Sequence, residues 1–375
     1  MDTTALEAML EAADLPHCAV ALVDADGLRY SYASGMADTR TQAPMTAGTV
    51  IQIASWTKAI ASAAALKLVE DGRLSLHADA GALLPELADP QVLTGFSADG
   101  QPITRPAKGP VTLHHLLTHT SGFSYAFARE DIQRLMLLES DPAKGRLAAI
   151  RQPLLFDPGE RWEYGISLDW VGALIEVATG ASLGTYLEEA LLGPLGMKDT
   201  AFRDSLPDGA ARVHAREDGG FRPVSVYLGG TPFQSGGAGL TSTVLDFARF
   251  AAMILGDGAF EGKQVLSAET VARLCGNQIG GLRAGLVESA MPELVKTFEL
   301  FPGVACEWTY GFLRLPTALP GGPNAGTVSW AALFNSYFWI DRAAGLAGLF
   351  ATQLLPFGDE AALDTYGRFQ KAAYA

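Results

Sequence analysis

Apolar residues at the start of the chain recur at helical spacing. Leu6, Met9, Leu10 and Ala13 share one face and predict a short amphipathic helix. The period then changes. Cys18-Ala19-Val20-Ala21-Leu22-Val23 and Leu28-Arg29-Tyr30-Ser31-Tyr32 flank the turn Asp24-Ala25-Asp26-Gly27, which predicts a β-hairpin. A long apolar helix is expected over residues 55–70, ended by Asp71-Gly72. Between about 75 and 230, helical stretches at 112–118, 131–138 and 167–179 alternate with Gly and Pro loops. After Gly236-Gly237-Ala238-Gly239 a helix is expected over 243–255, stopped by Gly256-Asp257-Gly258. Strand patterns return at 327–334, 337–340 and 346–351, and a last helix covers about 360–373.

Strands at both ends with helices between them imply an α+β fold: an antiparallel sheet flanked by helices, with a mostly helical domain inserted. On this reading residues 1–75 and 235–375 form the sheet domain and 76–234 the helical one. Composition narrows the class. The 27 basic against 41 acidic residues leave a net charge of −14, which argues against a nucleic-acid partner. With 49% hydrophobic and 18% charged residues, core is plentiful. No apolar run approaches the ~18 residues of a membrane span, and Met1-Asp2-Thr3-Thr4-Ala5-Leu6-Glu7 lacks the basic start of a secretory signal. The odd, widely spaced Cys18, Cys275 and Cys306 give neither a disulfide framework nor a metal cluster. A soluble, cytoplasmic protein without membrane partner, metal or cofactor is expected.

The chemistry concentrates at Ser55-Trp56-Thr57-Lys58. Positions i and i+3 share a helix face, so the Ser55 hydroxyl and the Lys58 amine can be neighbours. Lys58 is the only charged residue between Ile51 and Leu66. An ammonium stripped of water in such a setting gives access to the neutral amine, a base. Ser55 is also the only serine followed three residues later by Lys. The competing reading is a Lys58 that snorkels to solvent from an ordinary buried helix.

These residues and four further segments resemble the serine β-lactamase-like hydrolases, and within them the family VIII carboxylesterases. Ile53-Ala54-Ser55-Trp56-Thr57-Lys58 is similar to their Ser-x-x-Lys segment. Leu116-Leu117-Thr118-His119-Thr120-Ser121-Gly122 follows, then Pro158-Gly159-Glu160-Arg161-Trp162-Glu163-Tyr164 with Ser167-Leu168-Asp169-Trp170-Val171-Gly172. Gly236-Gly237-Ala238-Gly239-Leu240-Thr241-Ser242-Thr243 and Tyr337-Phe338-Trp339-Ile340-Asp341 complete the order, so the resemblance spans about residues 15–355. It implies a β-lactamase/transpeptidase-like fold, Ser55 as nucleophile, and Lys58 with Tyr164 as its base couple. The Lys-Thr-Gly of true β-lactamases is replaced by Trp330-Ala331-Ala332. The resemblance makes Trp330 a wall of the pocket, and the backbone N–H groups of Ser55 and Leu333 the oxyanion hole. The Asn that follows the Tyr in β-lactamases is also missing, since Tyr164 is followed by Gly165-Ile166.

Other signatures fail on their spacing. His115 and His119 are four apart but lack the Glu of a zinc helix, and read as structural histidines. Gly165-Ile166-Ser167-Leu168-Asp169 lacks the second Gly of an α/β-hydrolase elbow. The run from Gly229 to Gly239 carries no nucleotide fingerprint and reads as a loop at the domain junction. The expected activity is hydrolysis of short-chain carboxylic esters, a small-molecule ester or amide being the only partner implied. The alternatives are an amidase, peptidase or acyltransferase on the same scaffold, a weak β-lactamase, and a silent binding homologue.

Overall fold

The structure is a computed structural model describing residues 2–139, 147, 150–230 and 233–375. The predicted hairpin forms from β1 (His17–Asp24) and β2 (Gly27–Asp38), turning at Gly27 with φ +119°. They join β3 (Ala43–Pro44), β4 (Glu307–Trp308), β5 (Leu313–Arg314), β6 (Val328–Ala332), β7 (Ser336–Asp341) and β8 (Leu346–Ala351). The sheet order is β4-β5-β6-β7-β8-β1-β2-β3, every neighbour antiparallel. The two ends of the chain therefore meet where β8 pairs with β1, Ala19 opposite Ala351. This is the α+β architecture expected, a sheet built from both termini.

Every residue of β6 and β7 is buried, so both faces of the sheet are covered along these strands. Alternation along β7 shows by what. Phe338 faces Trp56 and Phe247, at ring separations of 5.5 and 5.1 Å. Its neighbour Trp339 points the other way, onto Tyr366 and Phe369 of the C-terminal helix. The helices on the first side are α2 (Thr57–Glu70) and α6 (Val244–Leu255), the latter capped by the Thr243 side chain. On the second lie α1 (Thr3–Glu11) and α7 (Glu360–Ala373). Helix α2 is buried on nearly all sides, as its uniform apolar sequence requires, and the chain leaves it through Gly72 at φ +71°.

The middle of the chain holds α3 (Leu113–Leu117), α4 (Glu130–Glu139) and α5 (Ser167–Thr179). It also holds two hairpins absent from the sequence reading, Gln91–Phe96 with Pro102–Pro106 and Val213–Glu217 with Gly220–Val224. Among the described residues no helix is long and apolar enough to cross a membrane.

Candidate active site

Ser55 does not open a regular helix. It sits in a single 3-10 turn, Ala54–Trp56, that feeds α2. Ala54 takes φ +41°, a left-handed conformation that costs a residue with a Cβ about 1 kcal/mol. Burial of Trp56 against Phe247, at 4.6 Å, anchors the turn from the other side. Lys58 lies one turn on and is 0% exposed, so it does not snorkel. Its Nζ is 3.1 Å from Ser55 Oγ and donates to the Gly237 carbonyl at 2.6 Å. It also lies over the rings of Tyr164 and Tyr125, 4.9 and 5.3 Å from their centroids.

Tyr164 reaches the same point from the loop before α5, its hydroxyl 2.8 Å from Ser55 Oγ. The segment 119–124 holds it there. Glu163 N–H donates to the His119 carbonyl at 2.9 Å, and Gly165 N–H to His119 Nδ1 at 3.3 Å. A Cβ at position 165 would stand 2.2 Å from the Phe123 carbonyl, so the close approach requires glycine. The Glu163 carboxylate is tied by Arg129 at 2.7 and 2.9 Å. Trp330, buried on β6, donates its indole N–H to the Tyr164 hydroxyl at 3.2 Å. The structure thus brings Ser55, Lys58, Tyr164 and Trp330 together. Leu333, just past the end of β6, lines the same cavity. Among the described residues the N–H groups of Ser55 and Leu333 donate to no other protein atom.

Burial shapes the electrostatics. It pushes the Tyr125 phenol well up, with Tyr164 and Asp169 adding to the shift. His119 is held well down, chiefly by burial and further by Lys58. Asp169, fully enclosed on α5, is raised by burial and pulled back by the Ser235 hydroxyl, Lys58 and the Gly237 N–H. His115 serves its own helix, Nδ1 accepting from the Thr112 N–H at 3.3 Å. Ser167 of the failed elbow motif bonds Ser121 at 2.8 Å. Among the described residues no three His, Cys, Asp or Glu side chains are grouped to hold a metal.

The reacting groups face a cavity of about 220 Å³. Its walls include Phe127, Leu294, Phe298, Trp330, Ala331 and Ala332, and none of its lining side chains is charged. A larger cavity of about 520 Å³ shares Tyr164 and Val287 with it and carries both Arg129, Arg161 and Arg283 and Glu163, Glu288 and Glu299. Sequence reasoning missed Tyr125, Asp169 and the Gly237 carbonyl as members of the site. The only signal was the glycine run at 236–239, which marks close backbone approach but not its partner.

A serine and a lysine one turn apart, a tyrosine over both, and a sheet strand alongside define the serine β-lactamase/transpeptidase class of fold. The comparisons agree: the β-lactamase family model matches residues 3–373, and the chain belongs to that family. A lovastatin esterase of Penicillium rubens is 30% identical over 100% of this chain and 98% of its own. An ML-236A carboxylate methylbutanoyltransferase of Penicillium citrinum is 32% identical, over 88% of this chain and 82% of its own. Unliganded simvastatin synthase from Aspergillus terreus superposes with a TM-score of 0.86 at 28% identity, over 100% of this chain and 97% of that one. These relatives are hydrolases and acyltransferases, so ester cleavage or acyl transfer is the activity supported.

Proposed function

We propose that the protein cleaves short carboxylic esters through a covalent acyl-Ser55 intermediate. The observation that carries this is the convergence of the Tyr164 hydroxyl and the Lys58 amine on Ser55 Oγ, at 2.8 and 3.1 Å. As Ser55 Oγ bonds to the ester carbon, its proton passes to the Tyr164–Lys58 couple. The couple returns it to the departing alkoxide, and water repeats the sequence in reverse to free the acid. The oxyanion is received by the N–H groups of Ser55 and Leu333. The acyl group occupies the apolar cavity, and a chain of a few carbons, linear or branched, suits its 220 Å³.

Acyl transfer to an alcohol is the second reading. The methylbutanoyltransferase likeness favours it, and the larger cavity across Tyr164 leaves room beside the reacting groups for the alcohol half of either reaction.

The uncharged lining bears on specificity. A β-lactam carboxylate entering it would lose water without gaining a cation, at a cost of several kcal/mol. Neutral esters avoid that cost, so p-nitrophenyl butyrate should exceed nitrocefin by a factor of about 10³ or more in kcat/KM. Comparable constants on one preparation would contradict this reading of the pocket. Supplying an alcohol acceptor and following product ester against free acid separates transfer from hydrolysis.

A further inference from the structure

One buried carboxylate near the reacting groups has no part in the scheme above. Asp169 sits in the first turn of α5, five residues after Tyr164, and is buried. Among the described residues no Lys or Arg nitrogen lies within 4.0 Å of it. An isolated buried carboxylate is costly, so its partners define its use. Those partners are the Ser235 hydroxyl and the Gly237 N–H, the latter at 3.1 Å, both on Oδ1. Gly237 is the residue whose carbonyl accepts from Lys58 Nζ at 2.6 Å.

The contact is built into the packing. A Cβ on Gly236 would stand 2.3 Å from the Leu168 carbonyl of α5, and one on Gly172 would stand 3.3 Å from Gly236 N. The loop backbone therefore lies directly on the helix. A Cβ on Gly237 would meet both Asp169 carboxylate oxygens, at 3.0 and 3.1 Å. A residue this free to rotate holds a carbonyl in place only when its neighbours are fixed.

We propose that Asp169 is the positioning residue for Lys58: its carboxylate fixes Gly237, whose carbonyl holds the Lys58 amine beside Ser55, and its negative charge offsets the ammonium formed when that amine takes up the serine proton. The inference rests on the base-couple reading above. Asp169 itself neither gains nor loses a proton, and the serine proton ends on the departing alkoxide. The other titratable groups facing Lys58 are Tyr125, Tyr164 and His119, none of which supplies a negative charge in its neutral form.

The test measures kcat and KM for p-nitrophenyl butyrate from about pH 6 to 10 in the wild type, Asp169→Asn, Ser235→Ala and Ser55→Ala. Asparagine keeps the shape and the acceptor oxygen but removes the charge. Asp169→Asn should lower kcat about 10- to 100-fold with KM changed less than about threefold. Its ascending limb should move to lower pH, because a nearby ammonium loses its compensating charge. Ser235→Ala, which loosens the same carboxylate, should show a smaller loss of kcat, and it decides the matter if Asp169→Asn does not fold. A wild-type rate and an unmoved limb in the folded variants would overturn the inference while leaving the base couple standing. Activity persisting in Ser55→Ala would instead remove the reading on which it rests.

Discussion

A serine hydroxyl attacks an ester only if its proton has somewhere to go, and the Lys58 amine and the Tyr164 hydroxyl, the proposed base couple, both lie within hydrogen-bonding range of Ser55 Oγ. On the proposed mechanism, replacing Ser55 by Ala removes the attacking atom and little packing, so activity should fall by about 10³ or more while the unfolding midpoint stays near wild type. Lys58→Arg should fail almost as badly as Lys58→Ala. Arginine stays charged, and its larger head does not fit the enclosed space between Ser55, Gly237 and two tyrosine rings. Near-normal turnover by Lys58→Arg would remove the lysine from the proposed chemistry. Trp330 acts through a different bond. Trp330→Phe keeps an apolar wall but loses the indole N–H that the Tyr164 hydroxyl accepts, and should reduce kcat about threefold to tenfold. Trp330→Ala loses the packing as well and should cost more, without raising nitrocefin turnover, because it supplies no cation.

The elements show which of these relations the sequence makes legible. Helices α5 and α7 follow from periodicity and agree closely in extent with expectation, and the β1–β2 hairpin follows from its alternation and turn, although β2 runs on to Asp38, past the Tyr32 expected. The hairpins at 91–106 and 213–224 are not legible because their strands are short and partly exposed, with Pro102 and Pro106 at the ends of one and Pro223 inside another, so no clean alternation survives. Ser55, Lys58 and Tyr164 were readable because family motifs surround them. The Asp169–Gly237–Lys58 connection was not, since it joins three distant segments through a backbone carbonyl. The sheet offers its own test. Gly348 pairs with Trp339 across β7 and β8, and a Cβ there would fall 2.0 Å from the indole. Gly348→Ala should therefore destabilise the protein by about 1–3 kcal/mol, read as a lower urea midpoint. An unchanged midpoint would show that the indole moves aside freely.

At the scale of the whole molecule, acid sensitivity follows from the histidines. His17 is brought down to about 3 and His114 to about 4, mainly by burial, and His115, His119 and His214 are lowered for the same leading reason. The unfolded chain takes up these protons below about pH 6.5 whereas the folded one resists. Each histidine's contribution is thus complete above that pH and is lost as pH falls toward its folded value. The enclosed His17 and His119 give the steepest part of this dependence, with smaller terms from the others. The melting temperature should be level from about pH 7 to 8 and decline between about 6.5 and 5, above the carboxylate range. A level profile down to pH 5 would contradict this. The proposed function, in its hydrolytic and its transfer form alike, rests on one covalent intermediate. Rapid acid quenching of the protein with p-nitrophenyl butyrate, followed by peptide mass spectrometry, should find one butyryl group on the peptide containing Ser55. The Ser55→Ala protein should carry none. Full turnover with Ser55 never acylated, or the acyl group on another residue, would contradict the account.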